Sequence, residues 1–165
     1  MSTLEKNYFV HETSLLDKGA KIGKNTKIWA FTHVMSGAVI GENCIIGEGV
    51  HIGNNVVIGD NVKIQNNSII YEGVTIEDNV FIGPSVVTTN DIRPKSQGDW
   101  KDRFRKTIFK KGCSIGANST IVCGNVIGED SLVGAGSVVT KNVQSNSVVV
   151  GNPAKPLKDD YASSC

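Results

Sequence analysis

The sequence predicts an all-β fold in which short strands stack as the coils of one solenoid. Three observations predict it: an aliphatic residue at every sixth position, a small residue two positions before it, and a residue that tolerates a left-handed backbone three positions after it. Neither a helix nor an ordinary hairpin sheet has a period of six. A strand this short cannot bury its own face, so successive coils must stack on one another.

The aliphatic positions run from Ile22 to Ile82 and, after a break, from Ile115 to Val139. All sixteen of them hold isoleucine or valine. The position two residues earlier lies on the same face of an extended strand and mostly holds a small or branched residue, Cys44 and Cys113 among them. One bulky and one small side chain are therefore predicted to point inward in each hexad, and both cysteines are predicted to pack in the core.

The third position after each aliphatic residue is predicted to be a corner of the chain. It holds Asn, Gly or Asp in 14 of 16 hexads, and the two exceptions are Phe31 and Ser85. Asn, Gly and Asp adopt the left-handed backbone region more readily than other residues. Each hexad is thus predicted to form a short strand followed by a left-handed turn.

Composition limits the classes of protein to which the chain can belong. It has 165 residues, a net charge of +1 and an aromatic content of 6%. That charge gives no overall field to hold nucleic acid or an anionic membrane. No apolar run approaches the roughly 20 residues of a membrane span, and the N-terminus lacks the apolar region of a signal peptide. We expect a cytoplasmic protein without nucleic-acid partners and without membrane insertion.

The six-residue pattern fails between Thr88 and Gly112. Eight Lys and Arg residues against three Asp give this segment a charge of +5, and it also holds Trp100 and Phe104. Such an excursion is either a solvated basic loop docked by its aromatic residues or an electropositive lid over a phosphorylated ligand, and we favour the lid. One domain is expected, with a lead-in at 1–9, coils at 10–87, the basic loop at 88–112, further coils at 113–150 and a C-terminal tail at 151–165.

Two hexads, Ile40–Ile45 and Ile58–Lys63, follow the order aliphatic, Gly, any, any, small, any. In this the sequence resembles the hexapeptide-repeat acyltransferases over roughly residues 10 to 155. The resemblance implies a left-handed parallel β-helix with three hexads in each triangular coil, one long loop excursion at about 88–112 and a short C-terminal tail. It also implies a homotrimer with its sites between subunits, and acetyl-CoA as the co-substrate.

A finer resemblance lies in residues 28–34, 63–67, 81–85 and 89–91, which are similar to N-acetyltransferases of nucleotide-linked 3-amino sugars that serve surface polysaccharide (O-antigen or lipopolysaccharide) synthesis. Two substrates fit: UDP-2-acetamido-3-amino-2,3-dideoxy-glucuronate and a dTDP-3-amino-3,6-dideoxyhexose. The cations that follow Asn90 favour the uronate, because a carboxylate needs a cationic partner and a methyl group does not. Lys95 stands where the family usually has Arg. A lysine makes a single contact with an anionic group, whereas an arginine can make two.

Coils of 18 residues would place residues 18 apart on top of each other, about 4.8 Å apart. His33 is then expected directly beneath His51. A second column is expected at the edge from which the basic loop departs, formed by Ser36, Asn54, Glu72 and Asn90. This edge is the candidate site.

The resemblance implies direct transfer of the acetyl group to the sugar amine, with Asn90 orienting the amine. The other expected substrate-binding residues are Asn66, Tyr71, Glu72, Arg93 and Lys95. The proton acceptor is either a histidine base, His33 or His51, or the departing thiolate. The residues expected to bind the coenzyme are Gly134, Ala135, Lys141, Asn152, Pro153 and Lys155.

Two alternatives remain open. A purely structural β-helix would show ladders of Thr or Ser on a flat outer face, whereas the outward positions here are mixed. A hexapeptide acetyltransferase acting on another amine or hydroxyl is the second alternative. No metal is expected, because the third histidine, His11, lies far along the chain from His33 and His51. This disfavours the zinc-dependent γ-class carbonic anhydrases, which share the fold.

Overall fold

A computed structural model describes residues 7–99 and 101–157. Its regular elements are short β-strands and one 3₁₀ turn at Lys101–Arg103, and no described helix is long and apolar enough to cross a membrane. The strands are β1 Phe9–Val10, β2 Leu15–Leu16, β3 Lys21–Ile22, β4 Lys27–Ile28, β5 His33–Val34, β6 Val39–Ile40, β7 Ile45–Ile46, β8 His51–Ile52, β9 Val57–Ile58, β10 Lys63–Ile64, β11 Ile69–Ile70, β12 Val74–Ile76, β13 Phe81–Ile82, β14 Val87–Thr88, β15 Thr107–Phe109, β16 Ser114–Ile115, β17 Thr120–Ile121, β18 Val126–Ile127, β19 Leu132–Val133, β20 Val138–Val139, β21 Val148–Val150 and β22 Lys155–Pro156.

These strands build three sheets, one on each side of a triangular prism, and all neighbouring strands are parallel except β21 and β22. The first sheet has the order β1-β4-β7-β10-β13-β16-β19-β21-β22, the second β2-β5-β8-β11-β14-β17-β20, and the third β3-β6-β9-β12-β15-β18. Paired residues in the regular coils are 18 positions apart, as in Lys27 with Ile45. The predicted left-handed parallel β-helix of hexapeptide repeats is confirmed. We call the turn from the first to the second sheet the first corner, from the second to the third the second corner, and from the third to the first the third corner.

The core is the column of aliphatic side chains inside the prism. Fifteen of the sixteen predicted positions are buried, and the sixteenth, Ile22, is partly buried near the N-terminal end. At four of the small inward positions a hydroxyl donates to a carbonyl of the next coil, as Thr32 Oγ1 does to Gly47 O at 2.8 Å. Cys44 and Cys113 are buried as predicted, and burial raises the pKa of the Cys113 thiol to about 12.

The corners have the predicted left-handed backbone at fifteen of the sixteen positions, including Phe31 and Ser85. Asn142 is the exception. Its Oδ1 instead accepts a hydrogen bond from Val126 N at 2.8 Å, and no strand of the third sheet follows it within the described residues. The last coil therefore departs from the regular path.

The excursion is confirmed, but it ends earlier than residue 112. β15 lies back in the third sheet, where Thr107 pairs with Val74, 33 positions before it, whereas Thr75 pairs with Val57, 18 positions before it. Phe109 is fully buried at the inward position of this strand. A count of aliphatic residues misses this hexad because its inward residue is aromatic.

The C-terminal end of the prism carries a reversal of direction. β22 runs antiparallel to β21, with Val149 paired to Pro156 and Val150 paired to Lys155. β22 is the last strand of the first sheet among the described residues. The sheet therefore ends on a strand that contains a proline.

Candidate functional site

The excursion leaves the prism at the second corner as a loop whose two ends, which form its base, are bonded to each other. Asn90 O accepts a hydrogen bond from Arg105 N at 2.9 Å, and Asp91 forms an antiparallel bridge with Phe104. Asp91 Oδ1 accepts from Arg93 N at 2.8 Å. The two ends of the loop are thus held together at the second corner, between β14 and β15.

An ion pair reinforces this base. The Arg103 Nε lies 3.1 Å from Asp91 Oδ2, and both side chains are mostly buried. The Arg103 Nη2 is buried and has no hydrogen-bond partner among the described residues. The sequence does not predict this pair, because an acid and a base 12 positions apart in an irregular segment give no periodic signal.

Three of the predicted substrate-binding residues line one open pocket under the loop. We call it the loop pocket; its lining is Tyr71, Asn90, Asp91, Pro94, Lys95, Ser96 and Phe104. Tyr71 is held there by its backbone, since Tyr71 N donates to Thr88 Oγ1 at 2.9 Å. The pocket therefore combines a phenol, an amide and an ammonium group on one edge of the prism.

Glu72 lies next to the loop pocket. It lines a second cleft with Gly73, Arg105 and Lys106, and Phe104 borders both spaces. Arg93 lies on the exposed part of the loop and lines neither space. Trp100, which lies in the same segment of the sequence as Phe104, is outside the described residues.

The two histidines stack as predicted, on the outer face of the second sheet. His33 pairs with His51 in register, with ring centroids 5.8 Å apart, and the His51 ring lies 5.9 Å from the Tyr71 ring. His33 Nε2 lies 3.0 Å from Asp17 Oδ1, a partner that the 18-residue spacing does not indicate. Desolvation, helped by the neighbouring His33, lowers the pKa of His51, which favours the neutral form of this imidazole.

Asn66 lies at the first corner, away from the loop pocket. Its Oδ1 accepts a hydrogen bond from Glu48 N at 3.1 Å, and it lines a shallow depression with His11, Trp29, Ala30 and Glu48. Asn66 and Glu72 are both expected to bind the substrate. In one chain the strand β11 separates the two residues, and they occupy different corners.

The residues predicted to bind the coenzyme also lie in two separate parts of the chain. Lys141, Pro153 and Lys155 line a cavity of about 310 Å³ at the C-terminal end, with an apolar wall of Val139, Val143 and Val149. Gly134 and Ala135 lie at the first corner, between β19 and β20. Asn152 precedes Pro153 in a cis peptide bond and does not line the cavity.

No group of three or more His, Cys, Asp or Glu side chains that could hold a metal ion occurs in residues 7–99 and 101–157. Cys123 is a further buried thiol in this part of the chain, and Cys165 lies outside it.

Comparison with known proteins identifies the family. Residues 19–54 and 55–90 match Bacterial transferase hexapeptide (six repeats), and residues 111–141 match Hexapeptide repeat of succinyl-transferase. The chain is 52% identical over 155 residues to dTDP-3-amino-3,6-dideoxy-alpha-D-galactopyranose 3-N-acetyltransferase of Aneurinibacillus thermoaerophilus, covering 94% of this chain and 80% of that protein. The chain belongs to the hexapeptide-repeat acetyltransferase family. The predicted membership of the family and the predicted acyltransferase class are confirmed.

Solved structures of hexapeptide-repeat acetyltransferases agree with this fold. A hexapeptide-repeat acetyltransferase of Vibrio cholerae O1 biovar eltor, solved with acetyl coenzyme A, is 27% identical with a TM-score of 0.62, over 74% of this chain and 70% of that one. A variant of the GDP-perosamine N-acetyltransferase of Caulobacter crescentus, solved with coenzyme A and GDP-perosamine, is 18% identical with a TM-score of 0.62. The match spans 92% of this chain and 57% of the Caulobacter chain, and it supports the fold alone.

Proposed function

We propose that the protein is an acetyl-CoA-dependent N-acetyltransferase of a nucleotide-linked amino sugar, and that its substrate is a dTDP-3-amino-3,6-dideoxyhexose. The observation that supports the substrate is the 52% identity, over 94% of the chain, to an enzyme named for that activity. The acetyl donor is acetyl-CoA, the ligand of the Vibrio cholerae relative. A role in surface polysaccharide synthesis follows from this substrate class and remains a prediction.

Several cations of the loop already have partners within the protein, which weakens the sequence argument for the UDP-linked uronate. Arg103 is paired with Asp91, and Arg105 Nη1 donates to two backbone carbonyls of its own loop. Lys110 lies beyond the excursion and binds Glu77. Lys95 is the cation that lines the loop pocket, and it serves a phosphate as well as a carboxylate.

In the proposed reaction the neutral amine of the sugar attacks the thioester carbonyl carbon of acetyl-CoA. The new C–N bond forms as the C–S bond breaks, and the amine proton leaves. Because an unprotonated amine is already a good nucleophile, positioning supplies much of the rate. Asn90 is the residue that we propose to hold the amine, beside Tyr71 and Lys95 in the loop pocket.

The proton acceptor is either the departing thiolate or His51, the histidine whose ring adjoins Tyr71. The lowered pKa of His51 keeps the imidazole able to accept a proton. His51→Gln separates the two possibilities. A general base is worth about 10²–10⁴ in rate, so a loss of that size, with a change in the pH–rate profile, indicates His51. A rate within a few-fold of the wild-type rate indicates the thiolate.

We propose that a homotrimer completes the site, because the candidate residues lie on two corners of one chain. Asn66 lies at the first corner and Asn90 at the second. The test is to unfold and refold together two variants, Asn66→Ala and Asn90→Ala, and to assay them at a nucleotide-sugar concentration well below KM, where the loss of either residue lowers the rate. A site shared between neighbours regains about a quarter of the wild-type activity on random mixing, whereas a site within one chain regains none. Light scattering of the wild-type protein gives the subunit number.

The substrate is tested by thiol release from acetyl-CoA with two acceptors in parallel and the product identified by mass. We expect turnover of dTDP-3-amino-3,6-dideoxygalactose. Turnover of UDP-2-acetamido-3-amino-2,3-dideoxy-glucuronate alone would make the uronate the substrate. Thiol release with neither acceptor would refute the amino-sugar assignment and leave the family and the fold intact.

A further inference from the structure

One corner of the prism departs from all the others. Phe31 has a φ of 58° and an exposed fraction of 66%. The other left-handed positions among the described residues hold Asn, Gly, Ser or Asp. A bulky residue at positive φ is an outlier that persists only where the surroundings hold it, and such outliers cluster at ligand sites.

Side-chain hydroxyls of the preceding coil hold this corner in place. Phe31 N donates to Thr13 Oγ1 at 3.1 Å, and Thr32 N donates to Ser14 Oγ at 3.2 Å. Ser14 Oγ in turn donates to Trp29 O at 2.6 Å. The contact of this corner with the following coil, by contrast, is between backbone groups, since Gly49 N donates to Ala30 O at 2.9 Å.

The corner also exposes a second aromatic ring. Trp29 is 45% exposed, and its ring centroid lies 5.6 Å from that of Phe9. Trp29 and Phe31 flank Ala30 at the tip of the turn. Two exposed aromatic side chains therefore mark one corner of a chain whose aromatic content is 6%.

Polar groups of defined hydrogen-bonding character lie beside these rings. Trp29 lines the depression that also holds Glu48 and Asn66. Asn66 uses its Oδ1 to accept from Glu48 N, which leaves its Nδ2 as a donor, and the exposed Glu48 carboxylate is an acceptor. A donor beside an acceptor complements the imide edge of uracil or thymine, where a carbonyl oxygen lies next to an N–H group.

We propose that Trp29 and Phe31 form a stacking platform for the pyrimidine base of the nucleotide-linked sugar, with Glu48 and Asn66 binding the imide edge of the base. This inference rests on the proposed function and adds to it the position of the nucleotide. Aromatic side chains stack on bases through the π-face of the ring. The strained conformation of Phe31 is thus explained by the ligand that it contacts.

Binding of the pyrimidine base can be tested separately from acetyl transfer. The chain has two tryptophans, so Trp100→Phe leaves Trp29 as the single fluorophore. We expect dTDP and UDP to quench Trp29 fluorescence saturably, and inorganic pyrophosphate, which has no base, to quench it weakly. In this background Phe31→Asn should weaken dTDP binding by about 10- to 100-fold, the usual effect of losing one stacking ring. The matched control is Phe81→Thr, which removes an exposed phenylalanine from the first sheet.

Phe31→Asn places at this corner the residue that most other corners hold, so its thermal midpoint should stay equal or rise. In steady-state kinetics KM for the nucleotide sugar should increase while kcat stays within about twofold. An unchanged dTDP affinity and KM would overturn the proposal, and so would dissociation of the oligomer with an unchanged affinity. If wild-type protein binds dTDP but acetylates no amino sugar, the proposed function fails and the platform stands.

Discussion

The regular coils and the excursion differ in regularity and in burial. In the coils each corner repeats the last one, and paired residues lie 18 positions apart. The excursion adds 15 positions between two strands that still pair in register, Val74 with Thr107. Its residues from 92 to 99 are all exposed, and its base is fastened by Asp91.

The difference shows that the coils fix where the corners lie, whereas the excursion supplies polar groups to the candidate site. The coils bury nearly all their inward side chains and set where the corners lie. The excursion buries little, and it supplies Asn90, Lys95 and Phe104 to the loop pocket. Four substitutions test this division, from the scaffold to the surface.

The largest effect is expected in the coils. Ile70→Ala removes a fully buried side chain from the coil beneath the excursion and leaves a cavity, which should lower the free energy of unfolding by about 2–5 kcal/mol. Lys63→Ala, at an exposed outward position of the same coil, should change it by no more than about 0.5 kcal/mol. Urea unfolding measures both. Equal losses would mean that the coils do not carry the stability.

The next effect falls on activity alone. Asn90→Ala should lower kcat by about 10²–10³, the usual result of removing one positioned polar group from a transition state. Its thermal midpoint should not change, because the backbone oxygen, and not the amide, accepts from Arg105. Asn54→Ala changes the predicted column two coils away and should leave kcat unaffected. Equal effects of the two variants would remove Asn90 from the site.

A smaller effect is expected at the base of the excursion. Asp91→Ala removes the acceptor of the Arg93 N–H group and the partner of the largely buried Arg103 guanidinium, a local loss of about 1–3 kcal/mol. Limited proteolysis should then cut the excursion faster, while the unfolding midpoint of the coils stays within a few degrees. Arg103→Met in the Asp91→Ala background should add little, because the pair is already broken. Full additivity would show that the two residues act independently.

The smallest effect is expected at the surface of the third corner. Glu77 accepts from Lys110 Nζ at 2.8 Å and from Lys111 N at 3.0 Å, and the Lys110 hydrogen bond is the main cause that lowers the pKa of Glu77. Since the folded-state pKa lies below the unfolded one, the stabilisation is present above about pH 4.3 and is lost as the pH falls through the folded-state pKa.

For this exposed pair the contribution is about 0.2–1 kcal/mol. Glu77→Gln should therefore be less stable than the wild-type protein at neutral pH, and the difference should vanish in acid. Urea unfolding at the two pH values measures it. A difference that persists in acid would assign the stabilisation to packing rather than to charge.

Most of the fold could be predicted because its period appears in the side chains themselves. The hexads gave the strands, the inward faces and the corners. The end of the excursion could not be placed, since Phe109 occupies an inward position with a residue outside the aliphatic pattern. The excursion has no period, so neither its Asp91–Arg103 pair nor its path follows from spacing.

The candidate site could be predicted in part, and the reason is geometric. Tyr71, Asn90 and Lys95 come together because the loop leaves from the corner that follows β11 and β14. Asn66 is only six positions from Glu72, yet each hexad carries the chain to the next corner of the prism. Closeness in sequence is therefore misleading in this fold unless it is counted in multiples of a coil.

The antiparallel strand β22 has a consequence for solubility. A stack of parallel coils ends on an open edge whose unpaired N–H and C=O groups could accept another chain, and solenoids of this kind risk end-to-end polymerisation. Here the edge belongs to a reversed strand that includes Pro156, which has no N–H to offer. Among residues 7–99 and 101–157, the longest sheet thus ends on a strand that discourages pairing with another chain.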